Sequence, residues 1–143
     1  PIKSSAASDV YKRQTQAIPP RYRPVWIGLD YQDRAALYRR IDLRVDKMLE
    51  DGLLDEIRAL LALGVSPKAT AMQAIGYKEF FGYLNGACTL DEAAALCKQR
   101  SRNYAKRQLT WFRHMDGVVW LDAGAPEVQQ CACRTVQEFL SKG

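Results

Sequence analysis

Two short, continuous apolar runs, set apart by a long stretch of helical pattern, constrain this fold more than any other feature. They are Pro24-Val-Trp-Ile-Gly-Leu-Asp30 and Val118-Val-Trp-Leu-Asp122. A run apolar at every position, not at every second one, suits a strand buried on both faces, as in a parallel sheet. Two strands alone do not make a stable sheet. They therefore read as pieces of a larger parallel sheet whose other strands are absent, and the fold class is α/β. At 143 residues the chain is one domain or part of one.

Between and after these runs the pattern is helical. Leu37, Ile41, Val45, Met48 and Leu49 recur at helical spacing from Asp33, which can cap the start, to Gly52, which can end it. Leu54, Ile57, Leu60 and Leu61 mark a second helix closed by Gly64. A third, short helix is predicted over 73–84, ended by Asn85-Gly86. Thr89-Leu90-Asp91-Glu92 fits a capping box and opens the longest helix, about 90–114. Pro126 suits the first turn of a last helix, 126–141.

Residues 1–14 are small, polar and aperiodic, and read as a disordered or extraneous tail resembling translated adapter sequence. The chain starts at Pro1, with no signal-peptide pattern, and reads as truncated. No stretch approaches the roughly 20 apolar residues of a membrane span. The single histidine, His114, excludes chemistry that needs two. Cys88, Cys97, Cys131 and Cys133 lack paired zinc spacing and suit reduced cysteines of a cytoplasmic protein, with Cys97 and Cys131 packed as small hydrophobes. No phosphate-loop motif, nucleophile elbow or H-E-x-x-H pair is present.

The net charge of +5 is unevenly spread. Residues 46–97 carry four basic and eight acidic side chains, whereas 98–114 carry six basic and no acidic ones. On a helix, Lys98, Arg102, Lys106 and Arg113 fall within an arc of about 80°. Cys97, Tyr104, Ala105, Gln108, Trp111 and Phe112 occupy another arc, with Arg100 and Arg107 on its far side. Such a strip attracts phosphates. The competing reading is a solvated face paired with the acidic stretch.

Two further clusters suit phosphate or nucleotide binding. In Gln73-Ala74-Ile75-Gly76-Tyr77-Lys78, the glycine permits close approach and its neighbours offer an amide, a ring and a cation. Packing of a neighbouring helix over Gly76 would explain the same residues. Arg40 and Arg44 are i, i+4 neighbours that could clamp a diphosphate. The position one turn after Arg44 is Met48, so an intrahelical ion pair is excluded there.

Taken together, the motifs resemble the tRNA dimethylallyltransferase (tRNA isopentenyltransferase) family. The resemblance rests on Leu37–Leu49, Gly52–Ile57, Met72–Glu79, Tyr83–Gly86 and, most specifically, Arg102-Asn-Tyr-Ala-Lys-Arg-Gln-Leu-Thr-Trp-Phe-Arg113. It implies transfer of a dimethylallyl group from dimethylallyl diphosphate to the exocyclic amine of the adenosine 3′ of the anticodon, assisted by Mg2+. It also implies that residues 15–143 are the C-terminal portion of a P-loop-like parallel-sheet core, mostly helical here with two short strands. The phosphate loop, catalytic aspartate and metal ligands would precede this part, so the chain by itself would be inactive. The family's tRNA-contacting segments match Gln73, Ala74, Ile75, Gly76, Tyr77 and Lys78, and Lys106, Arg107, Gln108 and Arg113. Arg44 matches a diphosphate-binding arginine. Gly76, Tyr77 and Trp111 could wall an adenine pocket, or Trp111 could be core. The implied partners are tRNA and dimethylallyl diphosphate, without a membrane, in a cytoplasmic protein that is a monomer when complete. The alternative is a non-catalytic helical RNA-binding module.

Overall fold

The computed structural model describes residues 22–142. The reading of residues 1–14 as a tail lies outside them. Strand β1 (Trp26–Asp30) leads into α1 (Arg34–Glu50) and α2 (Leu53–Ala62). Two 3₁₀ turns, Ala71–Gln73 and Lys78–Phe80, precede the single-turn α3 (Phe81–Leu84). The long α4 (Leu90–Phe112), strand β2 (Val118–Asp122) and α5 (Val128–Ser141) complete the order.

Local chemistry accounts for most element ends. The Asp33 carboxylate accepts from the Ala35 and Ala36 amides at 2.8 and 3.1 Å, satisfying two free donors at the start of α1. Gly52, at φ +97°, makes the left-handed turn from α1 into α2. The capping box at α4 is complete: the Glu92 amide donates to the Thr89 hydroxyl at 3.3 Å, and the Thr89 amide to the Glu92 carboxylate at 2.8 Å.

β1 and β2 pair in parallel, with Trp26 opposite Val118 and Asp30 opposite Asp122. Gly28 faces Trp120, whose indole lies where a side chain at position 28 would sit. Trp26, Leu29 and Val119 are exposed, which differs from the expectation of strands buried on both faces. Among the described residues the sheet has two strands, and these side chains are left about half exposed. α5 packs on β2.

The core lies among the helices, away from the sheet. Ile57 of α2, Met72 and Phe80 of the turns, and Cys97 of α4 are fully buried, joined by Val45 of α1, Leu53 of α2, and Ala93 and Ala94 of α4. Burial of each of the larger side chains contributes about 1.5–3 kcal/mol. α4 is thereby held against α1 on one side and the Lys78–Phe80 turn on another. No helix among the described residues is long and apolar enough to cross a membrane.

The helix expected over 73–84 is not formed. Gly76 has φ +107°, outside the helical region, and splits this stretch into two 3₁₀ turns followed by one α-turn. The apolar spacing is compatible with a helix, but only short local turns form here, and the Gly76 amide bonds to the Glu79 side chain instead of to a backbone carbonyl.

Candidate nucleotide and RNA interface

A groove of about 660 Å³ runs between α1, the turn at 74–76 and α4. α1 presents Ile41, Arg44, Val45 and Met48 to it, one helical face at i, i+3, i+4 and i+7. α4 presents Cys97, Ser101, Tyr104, Ala105 and Gln108 by the same periodicity. The turn contributes Ala74, Ile75 and Gly76, with the Met48 methyl 3.4 Å from the place where a Gly76 Cβ would lie. A helix residue therefore does approach Gly76 closely, as the packing reading required, and the glycine also borders open space.

Five expected site residues thus meet in one groove: Arg44, Ala74, Ile75, Gly76 and Gln108. Arg44 is exposed and makes no hydrogen bond or ion pair among the described residues. Gln108 and Ala105 also line a second, mostly apolar cavity of about 600 Å³ between the sheet, α1 and α4, which Arg40 borders. The i, i+4 arginines therefore overlook adjoining hollows and do not share one.

The other expected residues stand elsewhere. The Gln73 amide donates to the Pro67 carbonyl at 2.8 Å and braces the preceding loop. The Tyr77 hydroxyl donates to the Glu56 carboxylate. That bond, with smaller contributions from burial and the Glu56 charge, pushes the Tyr77 phenol above its usual value. Lys78 starts the second 3₁₀ turn.

The basic helix divides in two. In its first half Lys98 pairs with Asp46, Arg102 with Asp42 at 2.6 Å, and Arg100 with Glu79 at 2.9 Å. For Lys98 and Arg100 the reading of pairing with the acidic stretch 46–97 holds, whereas Arg102 pairs with Asp42, outside that stretch; the three tie α4 to α1 and to the turn. In its second half Lys106 and Arg107 form no ion pair among the described residues and line a shallow hollow with Asn103, Thr110 and Trp111. Trp111 is 63% exposed and meets Phe112 edge to face at 4.9 Å. It is not core, which corrects that alternative, and it walls the Lys106–Arg107 hollow, not the Gly76 groove. Arg113 is paired with Asp30 at the end of β1. The expected cations thus lie at three places along α4.

Cys97, Ser101, Tyr104, Ile41 and Met48 also line the groove, and only the facing periodicities of α1 and α4 could have pointed to them. Burial, then the nearby Glu79 charge, pushes the Cys97 thiol up, so it packs as a neutral hydrophobe. No three His, Cys, Asp or Glu side chains among the described residues could together hold a metal ion. The Mg2+ implied by the resemblance finds no ligand set among the described residues.

The sequence model of the IPP transferase family matches residues 2–115. A tRNA dimethylallyltransferase of Lactobacillus johnsonii is 48% identical over 139 residues, covering 96% of this chain and 45% of the relative. One from Citrifermentans bemidjiense is 56% identical over 90 residues, covering 63% of this chain and 29% of the relative. The crystal structure of a tRNA isopentenylpyrophosphate transferase from Staphylococcus epidermidis superimposes with a TM-score of 0.79 at 34% identity, over 94% of this chain and 43% of that one. The Bacillus halodurans protein of that name gives 0.73 at 37% identity, over 96% and 50%. The chain spans under half the length of the curated relatives it matches. The α/β fold, the motif order and these matches agree: the chain belongs to the IPP transferase family.

Proposed function

We propose that residues 15–143 are the C-terminal portion of a tRNA dimethylallyltransferase domain, one that binds diphosphate and tRNA at the groove and along α4. In the complete reaction the N6 amine of the adenosine 3′ of the anticodon attacks the first carbon of dimethylallyl diphosphate. The carbon–oxygen bond breaks, diphosphate leaves and the amine loses a proton. Mg2+, when bound, would neutralise charge on the diphosphate. The protein acts in the cytoplasm as a monomer.

This chain's own contribution is binding and orientation. Arg44 holds a diphosphate through charge-assisted hydrogen bonds. The backbone at Gly76 and the Gln108 amide border the space where an extruded base needs edge contacts. Lys106 and Arg107 meet phosphates, which position the RNA without reading its sequence. By itself the chain binds but does not turn over.

The observation that carries this reading is Arg44, without an ion pair among the described residues, in one groove with Ala74, Ile75, Gly76 and Gln108. Titration with inorganic diphosphate tests it. Arg44→Ala should weaken binding by about tenfold, the scale of one lost charged hydrogen bond. Equal affinity of the two proteins would overturn the assignment. A second titration, with an anticodon stem–loop RNA at several salt concentrations, should show binding that weakens linearly in log–log form.

A further inference from the structure

Glu79 is the one buried charged residue among those described, with its side chain fully inaccessible, and the groove does not use it. It cannot touch tRNA or diphosphate from there. One carboxylate oxygen accepts from the Gly76 amide at 2.8 Å, and the other from Arg100 of α4 at 2.9 Å. A buried carboxylate is tolerated when both oxygens are satisfied in this way.

The Gly76 amide explains why such a partner is needed. At φ +107° the residue leaves the local backbone ladder. Around it Tyr77 and Lys78 both donate to the Ala74 carbonyl, at 3.2 and 3.4 Å, whereas the Gly76 amide has only Glu79. A buried, unsatisfied amide costs about 1–3 kcal/mol. Glu79 thus makes the left-handed turn tenable, and Arg100 fixes that carboxylate to the helix that carries Gln108, Lys106 and Arg107.

We infer that Glu79 is a positioning residue: through the Gly76 amide and Arg100 it sets the 73–78 turn relative to α4, and so the spacing between two RNA-contacting segments. The inference rests on the RNA-binding reading and adds a residue of the wrong charge for direct contact. The charge gives the test its sign. Removing a carboxylate from an RNA-binding protein should tighten binding if only the overall field mattered. Removing a positioning carboxylate should weaken it.

The experiment compares the 143-residue chain with Glu79→Gln and Gly76→Ala, the latter leaving the Glu79–Arg100 pair in place. Amide hydrogen exchange reads the turn without RNA. Both variants should speed exchange at 73–78 by at least about tenfold, while α1 and α2 stay protected. Unchanged exchange, or loss of protection throughout the chain, would overturn the positioning role. Anisotropy with an anticodon stem–loop RNA reads the consequence. Both variants should weaken binding about tenfold at an unchanged salt slope, because no phosphate contact is lost. Tighter or equal binding by Glu79→Gln would overturn the inference even with a loosened turn. If the unaltered chain binds no RNA, the RNA-binding reading fails, and the exchange result alone decides whether Glu79 positions the turn.

Discussion

Arg102 and Asp42 meet across the α1–α4 contact, a single guanidinium nitrogen donating to both carboxylate oxygens at 2.6 and 2.8 Å. Both side chains are about one-third exposed, and the guanidinium also lies 5.8 Å from the Tyr38 ring. Together with Lys98–Asp46 this pair registers the two helices that wall the groove. Asp42→Asn should lower stability by about 1 kcal/mol after allowance for solvent screening. Chemical denaturation of the single and double variants, with Arg102→Gln, measures the coupling. Fully additive effects would show that the pair contributes nothing.

Lys106 and Arg107 should behave oppositely. Neither is ion-paired among the described residues, so changing both to alanine should leave the melting temperature within a degree or two. RNA affinity should fall, and the slope of log affinity against log salt should become shallower by about 1.4, from about 0.7 per single-strand phosphate contact. Lys98→Ala should give the reverse pattern, a lower melting temperature with the slope retained.

Hydrogen bonds shift two groups, Glu92 and Tyr77, and each adds a pH-dependent contribution to stability. Hydrogen bonding, first from the Thr89 amide and then from its hydroxyl, holds Glu92 below the usual 4.5. A lowered folded pKa contributes stability that is present above the unfolded value and lost as pH falls through the folded one. Tyr77 is raised above 10.0, so its contribution is present below that pH and lost as pH rises through the folded value. Melting curves should therefore separate Glu92→Gln from the parent at neutral pH and merge below about pH 4. Tyr77→Phe should separate at neutral pH and converge only well above pH 10. A constant gap across either limit would refute the assignment.

At Gly28 a Cβ would lie 2.6 Å from the Trp120 ring, its cross-strand partner. Gly28→Ala should displace the indole and cost about 1–3 kcal/mol, a typical overpacking penalty. Near-ultraviolet circular dichroism of the tryptophans, with a melt, reports both effects. The same substitution at Gly52, which faces open space, should perturb only through its positive φ.

What could be read from the residues was local or periodic. Asp33, Gly52 and Thr89–Glu92 bound their helices as their chemistry required, because a cap is satisfied within three residues of chain. The two strands and the apolar stripes of α1 and α4 followed from apolar runs and helical spacing, whereas their pairing and facing came from the tertiary structure. The family motifs added the identity of the candidate site segments. Tertiary structure decided the rest. Spacing placed Lys98, Arg102, Lys106 and Arg113 on one arc, but could not say that Asp46, Asp42 and Asp30 would claim three of them. Nor could it show that 73–84 would break at Gly76: that conformation depends on Glu79, which in turn depends on Arg100, 21 residues further along. Caps and periodicity act through bonds between near neighbours. The partner of a charge, and the conformation of a glycine, are chosen by whatever folding brings alongside.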